Sequence, residues 1–144
     1  MKFISSSYDP KWGVSKVVMQ HLGQKFEGVA IAHPDIMNTA SEYAGCYYAE
    51  IRATIKALKY ERNKAKEEAE ICRKFVKAIE HYAKFNPEDE SAKSIYRQLN
   101  VKIKKVNDLT DQINNLMLLL QKEILGREAV LKAIADKKTK PVNS

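Results

Sequence analysis

Two sets of side chains in this 144-residue chain could do chemistry, and both are equipped to bind rather than to react. The first gathers around a break in the pattern: Phe85 and Asn86, then Tyr96, Arg97 and Asn100. An aromatic face stacks a purine, an asparagine pairs with a base edge, and an arginine forks a phosphate. The structural alternatives are a helix cap for Asn86 and an end plug for Phe85. The second set is Tyr47, Tyr48 and Arg52, at helical spacings of four and five. Its structural alternative packs the tyrosines under another element and pairs Arg52 with a carboxylate. Arg62 stands at an otherwise apolar position, where a charge is costly unless the helices diverge or an anion sits nearby.

Reactive constellations are missing. There is no glycine-rich phosphate loop, no Gly-x-Ser-x-Gly, no His-Glu-x-x-His and no Cys-x-x-Cys. His21, His33 and His81 are scattered, one per segment. Carboxylates alternate with lysines, as in Lys64-Ala65-Lys66-Glu67-Glu68, which is ordinary helix-surface patterning. The expectation is a protein that is not an enzyme and uses no metal and no cofactor. Cys46 and Cys72, far apart, read as small buried hydrophobes rather than a bridge.

The element that must carry both sets is a charged, apolar-striped run from Thr39 to about Asp136, broken once at Phe85-Asn86-Pro87-Glu88-Asp89. Before the break, Ile51, Ile55, Leu58, Arg62, Ala65, Ala69, Cys72, Val76, Ile79 and Ala83 alternate spacings of four and three, a heptad seam. After it, Ile95, Leu99, Val106, Leu109, Ile113, Leu116, Leu120, Ile124, Leu131 and Ile134 keep nearly that rhythm. Asn86 reads as the cap and Pro87 as the first position of the second helix. So short a connection predicts an antiparallel hairpin. Thr39-Ala40-Ser41-Glu42 has the capping-box pattern for the start of the first helix. Gly45 just inside it lowers helix propensity, and a close backbone approach would explain it.

The opening residues differ in kind. β-prone Phe3, Ile4, Tyr8, Val14, Val17, Val18, Phe26, Val29 and Ile31 are separated by turn signals at Asp9-Pro10-Lys11-Trp12-Gly13 and Gly23-Gln24-Lys25. They predict three antiparallel strands, about 2–8, 14–21 and 25–32, ending at His33-Pro34-Asp35. The fold class is therefore α+β, mostly α: a small three-stranded antiparallel β-unit over 1–35, a long helical hairpin over 36–137 turning near 85–90, and a frayed tail over 138–144. Such a hairpin buries only stripes. Leu116, Met117, Leu118, Leu119 and Leu120 are consecutive and point all around the helix, so a homo-oligomer is expected. The charge of +7, from 25 basic and 18 acidic residues, suits a salt-bridge-laced surface and anionic partners alike. No apolar run is long enough to span a membrane and no signal peptide is visible, so the expected location is cytoplasmic.

Three blocks carry a resemblance: Lys2-Phe3-Ile4-Ser5-Ser6-Ser7-Tyr8-Asp9, then Gly28-Val29-Ala30-Ile31-Ala32-His33-Pro34-Asp35, then Ala40-Ser41-Glu42-Tyr43-Ala44-Gly45-Cys46-Tyr47-Tyr48-Ala49-Glu50-Ile51-Arg52-Ala53. The opening third resembles the anti-Thoeris proteins of phages and prophages of Gram-positive bacteria, and the remainder resembles them in architecture only. The resemblance implies a sponge: a protein that sequesters cyclic ADP-ribose isomers made by a bacterial immune enzyme, without cleaving them. It also implies dimers assembled into hexamers, nucleotide pockets between protomers, cyclic oligonucleotides as further ligands of some members, and the bacterial host cytoplasm as the place of action. It transfers no ligand residue position by position. The candidates therefore remain Phe85, Asn86, Tyr96, Arg97, Asn100, Tyr47, Tyr48 and Arg52, with a small cyclic nucleotide as partner. Two rival classes stay open. One is a basic coiled-coil hairpin using Arg52, Lys56, Lys59 and Arg62 on nucleic acid; the other is a structural or adaptor oligomer.

Overall fold

A computed structural model of the chain describes residues 1–32 and 42–139. Three strands, β1 (Lys2–Asp9), β2 (Val14–His21) and β3 (Gln24–Ile31), precede two helices, α1 (Glu42–Phe85) and α2 (Glu90–Thr139). The strand boundaries agree with those expected to within a residue. The capping box at Thr39 and the strand end at His33 fall outside the described residues. Helix α2 runs to Thr139, past the expected start of the tail at 138, and residues 140–144 are not described. Two compact units make up the chain: Met1–Ala57 with Asn114–Ser144, and Leu58–Ile113.

In the first unit the strands form an antiparallel meander in the order β1-β2-β3. β2 and β3 pair without interruption from Val14↔Ile31 to His21↔Gln24. That register leaves a two-residue turn, Leu22-Gly23, with positive φ at both positions (51° and 76°). Two positive values are the signature of the hairpin turn whose twist matches the strands. Glycine takes that conformation freely, whereas Leu22 adopts it against its own Cβ. Pairing of β1 with β2 slips between Phe3 and Ser5, so Ile4 is the extra residue of a bulge.

Alternation along the strands sends Ser15, Val17 and Met19 of β2, and Gly28 and Ala30 of β3, to the buried face. Opposite them α1 offers small residues at every fourth position: Gly45, Ala49, Ala53 and Ala57. Ala49, Ala53 and Ala57 are completely buried. Val17, Met19, Ala30, Ala49 and Ala53 form one apolar cluster, with Cys46 and Tyr48 packed against it. Gly45 lies against the Ser15 hydroxyl, which confirms the close approach its position suggested. The same intimacy occurs at Gly28, where a Cβ would collide with the Ala49 carbonyl and stand 2.5 Å from the Ala53 nitrogen.

In the second unit α1 and α2 pack as antiparallel neighbours. Glu61 pairs with Lys105 at 3.9 Å and Glu68 with Lys102 at 3.0 Å, so numbers rise on one helix as they fall on the other. Leu58, Ala65, Ala69, Ala92, Leu109 and Ile113 are buried between them. These six include the seam positions Leu58, Ala65, Ala69, Leu109 and Ile113 read from heptad spacing, whereas Ile124, also read as a seam residue, is 46% exposed. No described helix is long and apolar enough to cross a membrane.

Packing this close makes a sharp contrast between two glycines. Gly28→Ala must push β3 away from α1 and is expected to destabilise by about 1–3 kcal/mol. Gly126→Ala meets nothing within 4 Å and is expected to gain roughly 0.5–1 kcal/mol of helix propensity. Urea unfolding of both variants measures the difference, and equal midpoints would refute the close packing at Gly28.

Candidate functional site

The chain reversal between the helices is built from one carboxylate. Asp89 accepts the backbone N–H of Ala92 on Oδ1 at 3.0 Å and the hydroxyl of Tyr82 on Oδ2 at 2.7 Å. It is thus the N-cap of α2 and a tie to the last turn of α1. This corrects the expectation that Asn86 caps the second helix with Pro87 as its first residue. Asn86 instead closes α1: its backbone N–H and its Nδ2 both donate to the Tyr82 carbonyl, each at 3.0 Å. The Asp89 N–H returns to the Asn86 carbonyl at 3.1 Å, which places Pro87 at the second position of a tight turn. An amide can donate to a helix C-terminus, and a carboxylate can give one oxygen each to Tyr82 and Ala92. The Ala92 N–H and the Tyr82 hydroxyl together assign the start of α2 to Asp89.

The aromatic, amide and guanidinium groups expected at this turn are consequently engaged close to home. Phe85 is 68% exposed and meets the His81 ring edge-on at 5.0 Å. Arg97 Nη2 donates to Glu90 Oε2 at 3.0 Å. Tyr96 and Asn100 are exposed further along α2. Phe85 and Asn86 are adjacent at the end of α1, and Tyr96, Arg97 and Asn100 lie on the exposed surface of α2.

The second set is more closely assembled. The rings of Tyr47 and Tyr48 meet edge to face at 5.3 Å. Tyr48 leans on the apolar cluster while Tyr47 is 44% exposed. One turn later on the Tyr48 face, Arg52 Nη2 donates to Glu123 Oε2 of α2 at 3.1 Å, with 28% and 9% of the two side chains exposed. The structural alternative foreseen for this set, a packed tyrosine and a paired arginine, is therefore realised. It leaves one group over: Arg52 Nη1 is buried and has no hydrogen-bond partner. A buried donor without an acceptor costs about 1–3 kcal/mol.

Other polar positions sort quickly. Arg62 is half-buried on the seam with its Nε unpartnered. Lys56 Nζ donates to the Glu27 carbonyl at 2.7 Å. Cys46 and Cys72 are free thiols, each half-buried. Among the described residues no group of three His, Cys, Asp or Glu could hold a metal ion. In the second unit a groove of about 480 Å³ runs over Ala69, Ile103 and Val106, edged by Lys66, Arg73 and Asn107 and by two glutamates. Comparisons with protein families, with characterised proteins and with solved structures find no match for the chain.

Donation from Tyr82 holds the Asp89 carboxyl below its ordinary range, helped by the Ala92 N–H, and holds the Tyr82 phenol above its own. The tie needs an ionised Asp89 and a neutral Tyr82. Its contribution is present above the ordinary carboxylate range and lost as pH falls through the depressed value. It is also present below the phenol range and lost as pH rises through the elevated one, so it spans roughly pH 4 to 10. Tyr82→Phe is expected to move the Asp89 titration, followed by carboxyl ¹³C NMR, upward toward the ordinary value. An unmoved titration would refute the tie.

Proposed function

We propose that the protein is an anti-defence sponge that binds a cyclic nucleotide immune signal, of the cyclic ADP-ribose isomer class, and holds it without cleaving it. The observation that carries this reading is the Tyr47, Tyr48 and Arg52 cluster with its unsatisfied Nη1. Tyr48, in edge contact with the exposed Tyr47, lies one turn before Arg52 on the same side of α1, and an aromatic ring with a guanidinium short of one acceptor suits a base and a phosphate of one small ligand. The cluster also lies inside the stretch that resembles the anti-Thoeris proteins. Cyclic oligonucleotides belong to the same chemistry and are a second ligand class for the same assay.

Sequestration favours a site completed by a second copy, since tight binding needs the ligand surrounded. Apolar side chains suited to that assembly lie on α2 of the first unit: Met117, Leu118, Ile124 and Leu125, between 46% and 57% exposed and repeating at seven residues. A homo-oligomer formed through this band, in the bacterial host cytoplasm, completes the proposal. Leu118→Glu is expected to lower the sedimenting mass while leaving the far-ultraviolet circular dichroism unchanged. A parent protein that sediments as a monomer at micromolar concentration would overturn the assembly.

The ligand reading is tested by calorimetric titration with a cyclic ADP-ribose isomer, followed by heat release and chromatography of what was bound. The expected result is recovery of intact ligand. Tyr47→Ala, at an exposed ring, should weaken binding by about 1–3 kcal/mol, a five- to 150-fold loss, and Arg52→Ala should weaken it further. Phe85→Ala and Arg97→Ala should bind as the parent does. If those two lose affinity and Tyr47→Ala does not, the pocket is at the hairpin turn. Turnover to a hydrolysed product would make the protein an enzyme.

A further inference from the structure

Strand β1 is the least covered element of the sheet. The apolar cluster draws on β2, β3 and α1 and takes no residue from β1. Every position of β1 is exposed except the half-buried Tyr8. In the order β1-β2-β3 it has one neighbour, and among the described residues no backbone bond reaches it from outside the sheet. An edge with unpaired N–H and C=O groups is a template for another strand. The opposite edge is partly taken, since Lys56 Nζ donates to the Glu27 carbonyl and Gly28 lies against α1. Many edges are guarded by proline or by a charge in mid-strand. β1 has neither: its charges, Lys2 and Asp9, stand at its two ends with Ser5, Ser6 and Ser7 between them.

The sequence of this edge is its own complement. Register with β2 puts Phe3, Ser6 and Tyr8 on the face that carries Ser15, Val17 and Met19, and Lys2, Ser5, Ser7 and Asp9 on the other. Phe3 and Tyr8 are five residues apart and share a face only because Ile4 is bulged out between them. With two copies antiparallel about a two-fold axis at Ser6, Ser5 faces Ser7 of the second copy. Past the bulge, Phe3 faces Tyr8 of the second copy and Lys2 faces its Asp9. Each pair falls on one face, hydroxyl on hydroxyl, aromatic on aromatic and cation on anion, the combinations that stabilise cross-strand neighbours. Neither Lys2 nor Asp9 has an ion-pair partner among the described residues. Asp9 accepts the Lys11 N–H on Oδ1 at 2.9 Å, which leaves Oδ2 for the second copy. Phe3, 51% exposed, gains cover from the same pairing. A parallel arrangement would instead set Lys2 against Lys2 and Asp9 against Asp9. We propose that β1 pairs antiparallel with β1 of a second copy, joining two meanders into one six-stranded sheet. The contact uses none of the residues of the α2 band, and being isologous it closes at two copies.

Ser6→Cys, at an exposed position on the axis, reports the contact when the full-length protein is oxidised at about 1 µM and its disulfides are mapped by mass spectrometry. The expected product is a disulfide joining the two substituted positions, distinct from any bond through Cys46 or Cys72. Adding Lys2→Asp turns two attractions into two repulsions and should slow that cross-link about tenfold. Asp9→Lys should do the same. An equimolar mixture of the two charge variants should recover the parent rate, because each strand then meets its opposite. Circular dichroism should be unchanged throughout. Absence of the position-6 disulfide even at about 100 µM would overturn the proposal. So would a rate that Lys2→Asp leaves unchanged, as a parallel pairing requires, or a mixture that fails to recover. Cross-linking in a bacterial lysate to a different protein alone would also overturn it, and would make the edge the seat of a foreign strand.

Discussion

Everything in the first unit depends on how closely two backbones approach. The sheet lies on α1 with glycine at the contact from each side, Gly28 from β3 and Gly45 from the helix. Between them Ala49 and Ala53 are wholly buried. A three-stranded meander of eight-residue strands is marginal alone. Small side chains let its inner face reach helix backbone, where dispersion contacts gain from the close approach. The cost of this arrangement is visible in Ser15, 1% exposed with its hydroxyl unpartnered against Gly45. With the sheet seated on the Gly45, Ala49 and Ala53 face, Tyr48 and Arg52 are carried together at its edge and Tyr47 on the far side of α1. The candidate site is in this sense a by-product of the contact.

Much of this was legible because the signals were local. β-branched runs and turn residues located the strands within a residue, and heptad spacing located the seam. Gly45 could be read as a contact point because glycine inside a helix needs a reason. Gly28 could not, because a glycine in a strand has several explanations and its partner is distant in sequence. Spacing of four through Gly45, Ala49, Ala53 and Ala57 was present throughout. Alanine is also the best helix former, which hides a packing stripe among ordinary propensity.

The chain reversal failed as a reading for a different reason. Asn86-Pro87 and Asp89 are both good helix starts by local chemistry. What separates them is a hydroxyl seven residues before Asp89, and such a bond has no sequence signature. The Tyr82 tie has a consequence for function as well. It draws the turn into a locally satisfied network in which Asn86 serves α1 and Asp89 serves both helices. Arg97 meanwhile answers Glu90. Asn86 and Arg97 are thus engaged while Phe85, Tyr96 and Asn100 stay exposed, and the guanidinium at Arg52, paired with Glu123 through Nη2, keeps its buried Nη1 unsatisfied. Residue type identified both sets, and only the count of hydrogen bonds distinguishes them.

The distribution of charge follows from the same accounting. A net +7 says little while lysines are read as a solvated surface. Placed on the helices, cations divide into two populations. Lys102, Lys105 and Arg52 each face a glutamate across the hairpin and strengthen its pairing modestly. The Glu68 carboxyl is held below its ordinary range by Lys102, which is itself held above its own. Lys74, Lys77 and Lys84 have no such answer among the described residues and stand on the exposed surface of α1. Glu80 on the same helix and Glu88, Asp89 and Glu90 at the chain reversal are interleaved with them along the chain, so the second unit carries mixed charge rather than one continuous basic face.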